Sequence, residues 1–267
     1  MYSGIDYSGE FREVEIGRLT YRVYESNVAV VVECAKDIVE AVIPATIEDG
    51  IPVTKIGDRA FAQCERLKRV TLPQLDLDRY LNDEKYFEEI GTNAFYQCHS
   101  LEEILIPDKV HTIGHGAFAQ CSSLKRVEFE DVECPPYMCP YAFAGCESLV
   151  YVTPVRNASE GLFDECKSLT DLPLQDCVGK IEERCFAHCT SLKDVVISEN
   201  IMSIESLAFR SCFNLKKVTF ERPDGWIWSS MYSGGGKALD LGDPERNAKM
   251  LRTMDFDDGV SGWHRKL

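Results

Sequence analysis

No stretch of the 267-residue chain approaches the run of roughly 18–20 apolar residues that a helix needs to cross a bilayer, so no membrane span is expected. Positive charge is in short supply too. Lys and Arg number 29 against 44 Asp and Glu, and a formal net charge of −15 makes nucleic acid a poor partner unless the cations gather on one face. The first twenty residues, MYSGIDYSGEFREVEIGRLT, have neither a basic n-region nor an apolar h-region. With Met1 as the start, the expected address is the cytoplasm.

Sequence signatures of chemistry are equally scarce. The stretch GGGK at 234–237 lacks the first glycine of a phosphate loop, because Met231 stands there, and Ala238 replaces its Ser or Thr. His111 and His115 are four apart, but HTIGH has no metalloprotease glutamate. CPPYMC with Cys146, and CFAHC with His188, lack the paired C-x-x-C spacing of a zinc site. No Ser/His/Asp set, carboxylate pair or cofactor fingerprint stands out. The expectation is therefore no catalytic residue, no metal and no cofactor. Asn157-Ala158-Ser159 matches a glycosylation sequon, which a chain that is not exported leaves unused.

What the chain does have is a repeat. IGDRAFAQCERLKRVTLP, IGTNAFYQCHSLEEILIP and IGHGAFAQCSSLKRVEFE are three of seven copies. The other four are MCPYAFAGCESLVYVTP, ASEGLFDECKSLTDLPL, IEERCFAHCTSLKDVVI and IESLAFRSCFNLKKVTF. Their phenylalanines, Phe61, Phe95, Phe118, Phe143, Phe163, Phe186 and Phe209, fall at intervals of 34, 23, 25, 20, 23 and 23 residues. Cys64, Cys98, Cys121, Cys146, Cys166, Cys189 and Cys212 keep the same intervals.

Within a unit, Ala60, Phe61, Cys64 and Leu67 recur at helical spacing, whereas Val70 and Leu72 alternate at strand spacing. Each unit is thus expected to be a helical turn feeding a short strand. One unit cannot bury its own apolar face, so neighbours must stack, with strands about 4.8 Å apart in a parallel ladder. This predicts a buried leucine column running from Leu67 to Leu215. It also gives most of the twelve cysteines a packing role as small hydrophobes, kept reduced in an unexported chain.

The pattern I-G-x-x-A-F-x-x-C-x-x-L-x-x-V-x-L-P resembles the BspA-like class of bacterial leucine-rich repeats from Ile56 to about Phe220. The resemblance implies a repeat solenoid, a right-handed superhelix of short parallel strands and short helical turns. It also implies adhesion or protein binding, often by exported or surface-attached proteins.

A solenoid needs covered ends. Residues 1–55 are expected to form a β-rich N-terminal cap, with two strands around Glu25-Ser26-Asn27 and a degenerate repeat strand in IVEAVIP. Residues 56–225 form the repeat solenoid, and 226–267 a C-terminal cap. In that cap Asp243-Pro244-Glu245 starts a short helix over Trp226, Trp228 and Trp263. The first interval holds an insertion at 74–89, net −4, with Tyr80, Tyr86 and Phe87. It reads either as a binding loop or as a solvated patch over the core.

The exposed strand positions give one candidate surface. Arg69, Glu103 and Arg126 alternate in charge along the ladder, which favours self-neutralisation between strands. Beyond them Leu105, Val150, Tyr151 and Val196 add apolar character beside Asp171 and Asp194, as a protein interface would. The binding candidates are therefore Leu105, Arg126, Val150, Tyr151, Asp171 and Asp194, with Tyr80 and Tyr86 of the insertion. The partner expected is another protein. An exported adhesin and an enzyme hidden in the nonrepeat C-terminal segment are the alternatives, and a pocket with convergent polar groups near 226–267 would point to the latter.

Overall fold

In a computed structural model of the chain, residues 5–74, 85–230, 237–253 and 261–265 are described. The repeats stack into a β-solenoid with two parallel ladders. The first uses the strand that precedes each phenylalanine: Val53–Ile56, Glu89–Ile90, Thr112–Ile113 and Tyr137–Met138. The second uses the strand that follows: Glu103–Ile106, Arg126–Phe129 and Tyr151–Val152, and, further along, Asp194–Ile197 with Lys217–Phe220. Six of the seven units thus have two strands where alternation in the sequence suggested one. A two-residue strand is too short to alternate visibly.

The helical turn is not a helix. In all seven units the residues two before and two after the phenylalanine have positive φ, as at Arg59 and Gln63 (61° and 62°), and Arg184 and His188 (57° and 59°). An α-helix keeps φ negative throughout. The helical spacing arises instead from consecutive turns closed by three-residue bonds, Cys64 N–H to Phe61 O at 3.1 Å and Leu67 N–H to Cys64 O at 3.0 Å. Left-handed residues are costly away from glycine. Here they aim N–H groups along the solenoid axis. Arg59, Phe61 and Gln63 donate to Thr92, Ala94 and Tyr96 of the next unit at 2.9, 2.8 and 2.7 Å. The same triplet of bonds joins Asn93, Phe95 and Gln97 to the following unit. A third ladder, made of turns, therefore runs the length of the repeats.

Inside it the phenylalanines form one column, with ring centroids 4.9 to 5.9 Å apart and planes within 4° to 18° of parallel. Beside them each cysteine thiol donates to the carbonyl of the preceding phenylalanine: Cys98 to Phe61 at 3.0 Å, Cys121 to Phe95 at 3.1 Å, and on to Cys212 and Phe186 at 3.0 Å. The glycine of the I-G pair is needed for close approach. A Cβ on Gly91 would stand 2.8 Å from the Ile56 carbonyl oxygen, and one on Gly114 2.6 Å from the Gly91 carbonyl carbon.

The ends are closed by different means. At the amino end Phe11–Ile16, Leu19–Tyr24 and Val28–Cys34 form an antiparallel ribbon that joins the first ladder through Val53–Ile56, and Glu40–Val42 pairs in parallel with Arg69–Thr71. At the carboxyl end Ser261–Arg265 and Trp226–Ser230 add antiparallel strands to Ile201–Ile204. Trp226 and Trp263 are buried there against Phe220, at 5.0 and 5.9 Å, rather than beneath the helix. The helix Pro244–Arg252 covers the second ladder instead. Asp243 caps it by accepting from Glu245 and Arg246 N–H, and Asn247 Nδ2 donates to the Val218 carbonyl of the last strand at 3.0 Å. Among the described residues no helix is long and apolar enough to cross a membrane.

Both strand ladders are interrupted at one unit, that of Phe163. The first sheet ends at Tyr137–Met138 and resumes at Gly179–Ile181, and the second ends at Tyr151–Val152 and resumes at Asp194–Ile197. This unit follows the shortest interval, and its strand position reads Leu172-Pro173-Leu174 after Pro154 in the unit before. Proline has no N–H to give a ladder. Phe stacking, the turn ladder and an isolated bridge between Ala158 and Ile181 carry the fold across this seam.

Candidate binding surface

The second ladder presents every other side chain outward. Arg126 and Tyr151 stand opposite each other on adjacent strands, and the Arg126 guanidinium lies 4.3 Å from the centre of the Tyr151 ring. Glu128, two residues on, accepts from Arg126 at 2.6 Å. That carboxylate holds the guanidinium pKa above its ordinary value. Arg126 is thus fixed from two sides while remaining in contact with water, and Tyr151 is 42% exposed. Beside the pair, Leu105 and Val150 are 44% and 52% exposed, whereas Val196, 56% exposed, lies on Asp194–Ile197 beyond the seam. Leu105 is in register with Glu128 on the next strand.

The expected charge alternation is realised only in part. Lys125 meets Glu102 across strands at 3.3 Å, but Arg69 pairs with Glu40 at 3.1 Å, and Arg126 turns to Glu128 on its own strand. Asp194 lies on its strand opposite Lys217, beyond the seam. Asp171 is not on a strand. It is exposed in the seam and accepts from Thr170 Oγ1 at 2.8 Å. The candidates thus divide into a cluster of Leu105, Arg126, Val150 and Tyr151 on one sheet, and Asp194 on another.

The described end of the insertion, residues 85–89, leads into the first ladder. Tyr86 is half-buried with its ring edge-on to His111 at 6.3 Å, ahead of a first-ladder strand, and Phe87 is buried. Tyr80 and most of the insertion lie outside the described residues. His111 is not a free linker group: burial lowers its pKa, and its N–H donates to the Glu88 carbonyl at 2.8 Å.

The sequence reading missed a polar cluster across the seam. Asp164 occupies a position held by alanine in most units, and it is buried. Arg184 Nε and Nη2 from the next unit donate to Asp164 Oδ2 at 3.1 and 2.6 Å, and His188 Nδ1 lies 2.9 Å from Oδ1. On the other side Tyr141 OH donates to Glu160 at 2.5 Å, and burial together with that carboxylate pushes the tyrosine up to about 12. An acid in an alanine column was the available signal. With every group of Asp164 engaged, the cluster reads as a tie between units.

A cavity of about 540 Å³ does lie in the C-terminal region, between the capping helix and the last repeat, lined by Leu215, Lys216, Asp243, Glu245, Arg246, Lys249 and Arg252. Its polar lining is made of lysine, arginine and carboxylate side chains, with no serine, cysteine or histidine among them. Among the described residues no group of three or more His, Cys, Asp or Glu is placed to hold a metal ion.

Comparison with known proteins places these features in context. The family model for the BspA type leucine rich repeat region matches in six copies, over residues 45–134, 88–154 and 136–233. A leucine rich cell surface protein of Faecalibacterium prausnitzii has a similar structure, with 27% identity and a TM-score of 0.65 over 89% of this chain. The chain spans 62% of that protein's length. The leucine rich repeat protein of T. pallidum matches 68% of this chain and 91% of its own at 24% identity and a TM-score of 0.51, a likeness of fold. No curated protein matches the chain.

Proposed function

The chain belongs to the BspA type leucine rich repeat family, and on that footing we propose that it is a non-enzymatic scaffold that binds another protein through the outer face of its second ladder. The observation that carries this reading is the Arg126–Tyr151 pair. Arginine and tyrosine are among the residue types that dominate binding energy at interfaces, and here they are stacked and exposed beside two exposed apolar residues, Leu105 and Val150. A rigid strand surface presents them with little conformational entropy left to lose on binding.

Asp171 and Asp194 supply acidic groups toward the far side of the same face. The expected outcome is that a Tyr151→Ala, Asp171→Ala double variant loses at least about tenfold in affinity for a captured partner, measured by calorimetry, with unchanged melting. Undiminished affinity removes this face from consideration. A second reading, display at a cell surface, is favoured by the likeness to the Faecalibacterium cell surface protein. Fractionation of the host with antibody detection separates surface from cytoplasm.

A further inference from the structure

The chain is strongly acidic, yet the carboxyl end of the solenoid gathers cations. Lys216, Arg246, Lys249 and Arg252 line the 540 Å³ groove between the capping helix and the last strand. Two carboxylates share it, and one of them, Asp243, is committed to the helix cap. Lys193 stands one unit back from Lys216, their backbones joined by the Lys216 N–H to Lys193 O bond at 2.7 Å, and Lys217 follows. Lys193, Lys216, Lys217, Arg246 and Lys249 have no ion-pair partner among the described residues. Like charges crowded without partners repel, and an incoming anion relieves that repulsion.

At the edge of the groove is Phe213, 71% exposed, more than any other large hydrophobic side chain described. Its backbone is tied to the groove: Arg252 Nη1 donates to the Phe213 carbonyl at 3.4 Å and to that of Leu215 at 3.0 Å.

We propose that this groove is a second binding site, distinct from the strand face, and that it takes a short acidic peptide segment carrying an apolar side chain. The cations meet the carboxylates and Phe213 packs on the apolar group. The size and charge of the molecule favour a short peptide over a long polyanion. Beyond the screening length of about 8–10 Å the net charge of −15 repels an extended nucleic acid, whereas a few carboxylates fit inside the locally positive region.

The test is fluorescence anisotropy on the full chain with labelled Glu-Glu-Phe-Glu-Glu, with Glu-Glu-Gly-Glu-Glu and a ten-nucleotide oligothymidylate as comparison probes. Saturable binding of the first peptide is expected, weakened at least about tenfold by Lys216→Glu with Lys249→Glu and unaffected by Arg12→Glu at the opposite end. Phe213→Ala should weaken the phenylalanine peptide to the level of the glycine peptide. Phe213, Lys216 and Lys249 are exposed, and neither lysine has an ion-pair partner among the described residues, so unchanged melting of the variants is expected, and Lys216→Ala with Lys249→Ala provides a milder replacement. The proposal is overturned by absence of saturable binding, by a double variant within about twofold of the parent, or by tighter binding of the oligonucleotide than of the peptide.

Discussion

A thiol is a weak hydrogen-bond donor, yet each ladder cysteine from Cys98 onward uses it, on a phenylalanine carbonyl that already accepts a backbone N–H. This role suits cysteine because it is a small, readily buried hydrophobe with an S–H to donate. Burial pushes the thiols up, Cys212 to about 12 and Cys177 to about 11, with Cys166, Cys185 and Cys189 also well raised. A chromogenic disulfide should therefore react at once with the exposed Cys134, slowly with half-buried Cys139, and with the ten buried cysteines only on unfolding. Prompt reaction of more than two thiols in the native protein would contradict the ladder. Phe118 touches rings on both sides, at 5.0 and 5.4 Å, so Phe118→Ala should cost roughly 3–5 kcal/mol in urea unfolding. The columns of Phe, Cys and Leu were readable because burial recurs at a fixed interval. Arg184 and His188 were not, because their partner Asp164 is one of three departures from alanine in its column, with Tyr96 and Arg210, and nothing in the pattern sets it apart as a partner for them.

Strand elements show where pattern reading stops. The second ladder was legible from Val70 and Leu72 alternating with exposed neighbours, but the first, with strands as short as Glu89–Ile90, left no period to detect. Positive φ at residues such as Arg59, Gln63 and Asn93 goes with bonds between units, so it has no local signature. Tertiary hydrogen bonding overrides local preference along the whole turn ladder. The seam was half visible, in Pro173 and the short interval. Its tie predicts an outcome: Asp164→Ala strands a partly buried guanidinium and removes two charged hydrogen bonds, so it should destabilise the fold by about 1–3 kcal/mol. Hydrogen exchange should rise first in the units of Phe163 and Phe186. Uniform exchange across all units in that variant would show that the cluster is not a local tie.

At the scale of the molecule, stability is a sum over neighbouring units, and the two ends are where that sum is left open. The capping helix and the strands around Trp226 and Trp263 cover one end; without them the Lys217–Phe220 edge and Phe220 itself would be bare. Removal of residues 221–267 should therefore produce concentration-dependent association, read by light scattering, while the full chain keeps a constant mass over the same range. The cap helix was legible from Asp243-Pro244-Glu245. The placement of the tryptophans was not, because their partner Phe220 is identified only once the chain has turned back on itself. The binding candidates follow the same rule: Arg126 and Tyr151 meet because the register of two distant strands aligns them.

Pulled from its two ends, the solenoid would carry load through its units in series, each interface holding by its own set of bonds in parallel. Most interfaces share tension among strand pairs and turns, whereas those of the Phe163 unit have the turns, an isolated bridge, the Asp164 cluster and single bonds such as Val155 N–H to Pro173 O and Asn157 Nδ2 to Met138 O, both 2.8 Å. Extension would therefore begin in the middle of the protein rather than at its caps, splitting it into two rigid halves that recoil intact.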